Sequence, residues 1–219
     1  GGRVILSATI VGGMVRDQDA DMLRRVQDML EGIRSDYNQL CKAFLEDSSV
    51  RNRLCGVGYI SQEDAKAFGM VGPFARASNI NNDIRCFGNG AYADLDDFQP
   101  ILATDGDCFG RAKVRALEVV QSIDIINELI QKIPDGPVSV PVTGPVPAGA
   151  QASNALEQPR GECYYYAQGN GTKFLERMRI RTPTSTNLAG MAMALKGCDL
   201  ADVNMIVLTI DPCISCTER

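Results

Sequence analysis

The sequence predicts a mainly α-helical body with a small β insertion. Three observations carry this. Two stretches, about 18–46 and about 107–133, hold apolar residues at helical spacing. A Pro- and Gly-rich run separates the second of them from the rest. Beyond that run, two strand-like segments meet across Gly169-Asn170-Gly171, a strong hairpin signal.

In chain order, the first long helix is marked by Met22, Val26, Met29, Ile33, Tyr37, Leu40, Cys41 and Phe44, three or four residues apart. Asp17 or Asp19 can cap its start. Ser61-Gln62-Glu63-Asp64 resembles a capping box opening a short helix that ends near Gly69. Gly72-Pro73 is expected to break the chain, and 79–100, rich in Asn, Asp and Gly, to be loop. Asp107 precedes the second long helix, whose face holds Val114, Leu117, Val120, Ile123, Leu129 and Ile133 with Ile125 or Ile126. Pro134-Asp135-Gly136-Pro137 stops it. Residues 138–160 suit an extended segment laid over the body, and the hairpin carries the chain to about 184. Ser185 to Leu195 predicts a short buried helix ahead of Gly197. The apolar run Met205 to Ile210 then leads Asp211-Pro212-Cys213 into the interior.

Composition narrows the function. With 219 residues and 45% apolar content the chain can hold one sizeable core. A net charge of −5 with no Lys/Arg run argues against nucleic acid as a partner. Histidine is absent, which removes Ser-His-Asp and Cys-His nucleophile pairs and His-ligated zinc. Eight cysteines are too sparse for a disulfide scaffold, pointing to a reducing compartment. Cys41, Cys55, Cys86, Cys108, Cys163 and Cys198 are isolated and read as packing. The opening Gly1-Gly2-Arg3-Val4 has no signal-peptide pattern and reads as the interior of a longer polypeptide.

"DPCISCTER", residues 211–219, is the distinctive stretch. Two thiols at C-x-x-C spacing converge on one centre, a metal or redox signal. A thioredoxin-type dithiol would need more helix behind it, and only three residues follow Cys216. Structural zinc would need two further ligands at matching spacing. Two packed cysteines are the bland alternative. A redox metal site completed by ligands from outside this sequence accounts best for the pair.

The same residues resemble the C-terminal D-P-C-x-x-C-x-x-[HR] motif of NiFe-hydrogenase large subunits. The ending on Arg is similar to the membrane-associated, energy-converting type, and ending there matches the processed form of that family. Further matches are "IVGGMVRD" at 10–17, "GPFARAS" at 72–78, "GDCFGRAKVRALEVVQSIDIINELIQKIPDGP" at 106–137, "PRGE" at 159–162 and "RIRTPT" at 179–184. Several of these also resemble the quinone-site subunit of respiratory complex I, which lacks the paired cysteines.

The resemblance implies a large-subunit-like helical bundle core with a β-hairpin, and a Ni–Fe centre whose iron carries CO and cyanide. Cys213 matches a terminal nickel ligand and Cys216 the thiolate bridging nickel and iron. Arg160, with Pro159 beside it, matches the arginine over the open coordination position, and Asp211 would brace it. Catalytic roles thus fall to Arg160, Cys213 and Asp211, with Cys213 or Arg160 as first base in heterolytic H2 chemistry. Arg179 and Arg181 more naturally hold structure or face another subunit. The family's N-terminal R-x-C-G-x-C motif has no counterpart, since "LCGVGY" at 54–59 holds one cysteine, so this chain supplies half of a four-cysteine site.

Partners implied are an N-terminal segment with the other cysteine motif, a small subunit with a 4Fe–4S cluster, a ferredoxin-like carrier and membrane subunits. The resemblance also leaves room for a magnesium or iron ion near the C-terminus. Its setting would be peripheral, on the cytoplasmic side of a membrane. The alternative function is a non-catalytic or quinone-linked electron-transfer subunit of the complex I type that keeps the cysteines.

Overall fold

Asp107 starts the helix that organises the structure. Its Oδ1 accepts the Gly110 amide at 2.8 Å and its Oδ2 the Gly56 amide at 2.6 Å, so one carboxylate both caps the helix and ties it to a loop 51 residues upstream. The computed structural model describes residues 8–88 and 90–218. Gly1 to Val4 and Arg219, both used above, lie outside the described residues.

A short antiparallel pair, β1 (Thr9–Ile10) and β2 (Gly13–Met14), leads into α1 (Ala20–Glu46), capped by Asp19 rather than Asp17. Asp47 ends α1 and caps α2 (Ser48–Leu54). Ser61 caps α3 (Gln62–Ala67) as the capping-box pattern predicts. Gly72-Pro73 does not break the chain: it opens α4 (Gly72–Arg76), because proline is pre-set for the first turn of a helix. The stretch 79–100 is not all loop, since 3-10 turns form at Ile84–Phe87 and Gly90–Asp94. Asp83 holds the first of these by accepting the Arg85 amide.

The second long helix is α5 (Cys108–Gln131). The extended segment resolves into more than expected. Residues 151–158 form β3 (Gln151–Gln158), paired antiparallel with β4 (Gly161–Gly169), which pairs with β5 (Leu175–Arg181). The register Gln158↔Gly161 leaves Pro159-Arg160 as a two-residue turn. Then come α6 (Pro183–Ala194), a 3-10 turn at Leu200–Asp202, α7 (Val203–Ile210) and the single turn α8 (Ile214–Thr217).

Leu54, Ile60, Met70, Phe74, Cys108, Phe109, Ile206 and Ile210 form the main core, where α2, α4, the start of α5 and α7 meet. Buried Asn187 of α6 pairs with both backbone polar groups of Val71, accepting at 3.0 Å and donating at 3.1 Å, which fixes α6 against the entry to α4. α1 lies on α5 through Arg34 to Asp124 and Asn127 to Glu31, yet none of its residues is buried. The apolar stripe of α1 is therefore only partly covered. Cys108 and Cys163 pack in the interior as expected, whereas Cys55 and Cys86 are exposed and packing does not account for them.

Candidate functional site

Three elements bring the sequence-derived residues together: the β3–β4 turn, the end of α7 and the turn α8. The β3–β4 turn is held by contact between two glycines. Gly72 has φ +71, and a Cβ there would lie 2.2 Å from the Arg160 carbonyl oxygen and 2.5 Å from the Gly161 Cα. Gly161, at φ +130, would in turn meet the Gly72 nitrogen at 2.7 Å. Backbone therefore packs on backbone, and the start of α4 presses the turn carrying Arg160 into place.

Asp211 ends α7 in the left-handed region, with φ 59 and ψ 56, and its amide donates to the carbonyls of Val207 and Leu208. A non-glycine residue there costs about 1–3 kcal/mol, and surrounding contacts must hold it. Those contacts are guanidinium groups. Arg160 Nε donates to the Asp211 carbonyl at 2.9 Å and lies 3.2 Å from its Oδ2, and Nη2 donates to Oδ1 at 3.3 Å. From α5, Arg115 Nη2 donates to the Ile210 carbonyl at 3.0 Å, with Nη1 3.7 Å from Asp211 Oδ2. The contact between Asp211 and Arg160 expected from the sequence is present; Arg115 was not foreseen.

Beyond Pro212 the cysteine turn is tied to the start of α6. The Cys213 amide donates to Thr184 Oγ1 at 3.1 Å, while Thr182 Oγ1 and Ser185 Oγ donate to the Cys216 carbonyl at 2.6 and 3.2 Å. Cys216 is buried and its Sγ lies 3.9 Å from Gln158 Oε1. Cys213 is half-buried and Pro212 exposed, so this segment does not enter the interior as the sequence suggested. It lies along the edge of the core with one thiol in and one at the rim.

The two thiols differ. The Cys216 backbone amide and thiol push Cys213 below its ordinary thiol value, with help from Arg160 and the Ser215 amide. Burial, then the neighbouring Cys213, pushes Cys216 up. Cys213 is therefore the readier of the two to become a thiolate.

Among the described residues no group of three or more His, Cys, Asp or Glu side chains could hold a metal ion. The chain offers a two-thiol half-site, and that donor set fits the two-ligand share of a Ni–Fe centre. Pro159 shares the two-residue β3–β4 turn with Arg160. Arg181 pairs with Glu162 across the sheet, and Arg179 is exposed on β5.

Beside this turn lies a buried ion cluster that sequence reasoning missed. Arg76, 1% exposed, meets Asp83 at 3.0 Å, Glu118 at 2.6 Å and Glu157 at 2.7 Å. Burial pulls the Arg76 guanidinium down, but Glu118, Glu157 and Asp83 outweigh it and raise it. Burial pushes Asp83 up, yet two-pronged contact from Arg85 and the nearby Arg76 hold it below its ordinary value. The quoted "GPFARAS" motif contains Arg76, a charged residue among small and apolar ones, whereas Glu157 lies just ahead of the quoted "PRGE".

The family model for the respiratory-chain NADH dehydrogenase 49 Kd subunit matches residues 1–144 and 139–219. A carbon monoxide-induced hydrogenase of Rhodospirillum rubrum is 35% identical over 220 residues, covering 100% of this chain and 61% of that protein. A membrane-bound hydrogenase subunit alpha of Pyrococcus furiosus is 33% identical over 235 residues, covering 100% and 55%. An NADH-quinone oxidoreductase subunit of Phocaeicola vulgatus is 33% identical over 222 residues, covering 100% and 42%. The chain thus spans about half the length of these relatives. A solved chain of the membrane-bound sulfane sulfur reductase, an archaeal respiratory membrane complex, superposes with a TM-score of 0.88 at 28% identity, over 96% of this chain and 59% of that one. No helix among the described residues is long and apolar enough to cross a membrane.

Proposed function

The chain belongs to the family of the respiratory-chain NADH dehydrogenase 49 Kd subunit, and on that premise we propose that it is the C-terminal part of the catalytic subunit of a NiFe hydrogenase. The reaction is reversible H2 oxidation and proton reduction, coupled to ferredoxin-type electron transfer and ion translocation. The observation that carries this is the pairing of Cys213 and Cys216 in one turn beside the Arg160–Asp211 contact. Hydrogenases among the relatives support it.

Cys213 and Cys216 would hold the Ni–Fe centre together with two thiolates from outside this chain. The centre, with CO and cyanide on its iron, would supply redox-active metals that polarise H2. The chain's own residues do the rest. Thr182, Thr184 and Ser185 fix the backbone on which both thiols ride, so their separation is set before a metal arrives. Asp211 occupies one edge of the Arg160 guanidinium, which orients the remaining donors towards the space beside the cysteines. Cys213, the readier thiolate, takes the proton, and the Arg160 guanidinium stays charged beside Asp211.

A 4Fe–4S-bearing small subunit, an N-terminal segment with the remaining cysteines and membrane subunits are the partners on this reading, and the setting is the cytoplasmic face of a membrane. Nickel and iron analysis of the full-length protein in its complex, with infrared bands for CO and cyanide, tests it. Both metals and both sets of bands are expected. A metal-free complex that still passes electrons to quinone would overturn the hydrogenase reading in favour of the complex I-type alternative.

A further inference from the structure

Asp211 is left-handed, with φ 59, and it stands directly before Pro212. Two effects oppose that conformation. A side chain on a left-handed Cα crowds the following carbonyl, and a proline ring drives the residue before it towards extended backbone. Among the described residues the other non-glycine position with positive φ is Asn79, which precedes Ile80 and meets only the first effect. Left to itself the 211–213 segment would straighten and draw the cysteines away from the start of α6.

What holds it is divided between two arginines on different elements. Rotation about φ at residue 211 swings the peptide group joining Ile210 to Asp211, and rotation about ψ swings the one joining Asp211 to Pro212. Arg115 Nη2 donates to the Ile210 carbonyl at 3.0 Å and pins the first group. Arg160 Nε donates to the Asp211 carbonyl at 2.9 Å and pins the second. Among the described residues the one ion pair of Arg115 is with Asp211, at 3.7 Å, longer than a hydrogen bond, so backbone is what it grips. Its own place is secure. One turn earlier on α5, buried Arg111 donates to Thr209 Oγ1 at 3.1 Å, so two arginines side by side hold the last turn of α7, where free carbonyls favour positive charge.

We propose that Arg115 is a positioning residue for the Cys213–Cys216 turn: with Arg160 it holds both peptide groups around Asp211 in a conformation that Asp-Pro would not adopt unaided. The turn at residue 211 is what directs the Cys213 amide to Thr184 Oγ1 at 3.1 Å, and with it the thiol at the rim. Arg115 thus acts on the cysteines through the backbone, without touching either sulfur. Its service to a Ni–Fe centre rests on the hydrogenase reading. Its hold on the turn does not.

The test is alkylation by iodoacetamide, read cysteine by cysteine with mass spectrometry, on the full-length protein in its complex prepared without nickel. Arg115→Met should raise labelling of Cys216 about tenfold, the scale on which backbone strain of this kind shifts a local opening, while buried Cys163 stays protected. Glycine accepts a left-handed backbone freely, so Asp211→Gly alone should leave Cys216 protected, and added to Arg115→Met it should restore protection. In complex prepared with nickel, Arg115→Met should lose the metal, and the double variant should regain it without regaining H2 turnover, because the Asp211 carboxylate is gone. Unchanged Cys216 labelling in Arg115→Met, a parallel rise at Cys163, or no rescue by Asp211→Gly would overturn the proposal. Because labelling is read without nickel, an unaltered protein that never binds the metal would sink the hydrogenase reading and not this one.

Discussion

The two long helices are built alike and used differently. α1 has 27 residues and α5 has 24, both open on an aspartate cap, and both carry an apolar stripe. α5 buries Cys108, Phe109, Arg111, Val114 and Ile123, and sends Arg115 and Glu118 towards the site. α1 buries nothing, and Met29 and Leu40 are each 64% exposed. Periodicity says that a helix has an apolar side; it does not say what that side meets. The Arg160 turn and the Asp211 backbone are held where α4, α5 and α7 converge, whereas α1 only rests on the outside of α5.

If the contrast is real, substitutions on the α5 side should be severe and those on α1 slight. The largest effect is expected for Asp83→Asn, which leaves Arg76 and Arg85 buried with one counter-charge fewer. Removing one partner of such a cluster costs about 3–5 kcal/mol, measurable by denaturant titration of the full-length protein. The pH dependence has a defined sign. Because Asp83 is held below its ordinary value, its contribution is complete above about pH 3.9 and is lost as pH falls through the lowered value. Asp83→Asn should lose that acid limb, and a variant that keeps full stability would break the contrast at its strong end.

Next comes Arg160→Lys, which keeps the charge but loses the planar fork that contacts both the carbonyl and carboxylate of Asp211. A lost donor of this kind is worth about 3–4 kcal/mol in the transition state, roughly two to three decades in H2 uptake, while metal content stays unchanged. Undiminished uptake would remove Arg160 from the chemistry, and lost metal would make its role structural.

The smallest effect is expected for Leu40→Gln on α1, within about 0.5 kcal/mol for this chain alone, as for other exposed positions. A larger loss in the assembled complex than in the isolated chain would show that this face is covered there. A large loss in both would place α1 in the core and erase the distinction.

Much of the frame was legible in the sequence because it is written locally. Asp107 and Ser61 cap helices by contacts three residues away, and in the hairpin loop Asn170 accepts the Thr172 amide two residues on. The cysteine turn was legible from spacing, and the Arg160–Asp211 contact from resemblance. What escaped depends on distant partners. Arg76 meets Glu118 and Glu157 at sequence separations of 42 and 81, and nothing near Arg76 announces them. β3, "QASNALEQ", has little strand propensity of its own and exists because β4 pairs with it. The Gly72–Gly161 approach likewise appears only when two elements meet, which is also why Gly72-Pro73 read as a break.

Metal content in Cys216→Ser, with Cys213→Ser alongside, tests the central claim most directly. A hydroxyl in place of either thiol removes a thiolate ligand without disturbing the Thr182, Thr184 and Ser185 contacts, which go to backbone groups. In the full-length complex both variants should fold, lose bound nickel and lose H2 turnover together. Retention of nickel and substantial turnover in either variant would contradict the assignment of this turn as half of a metal site.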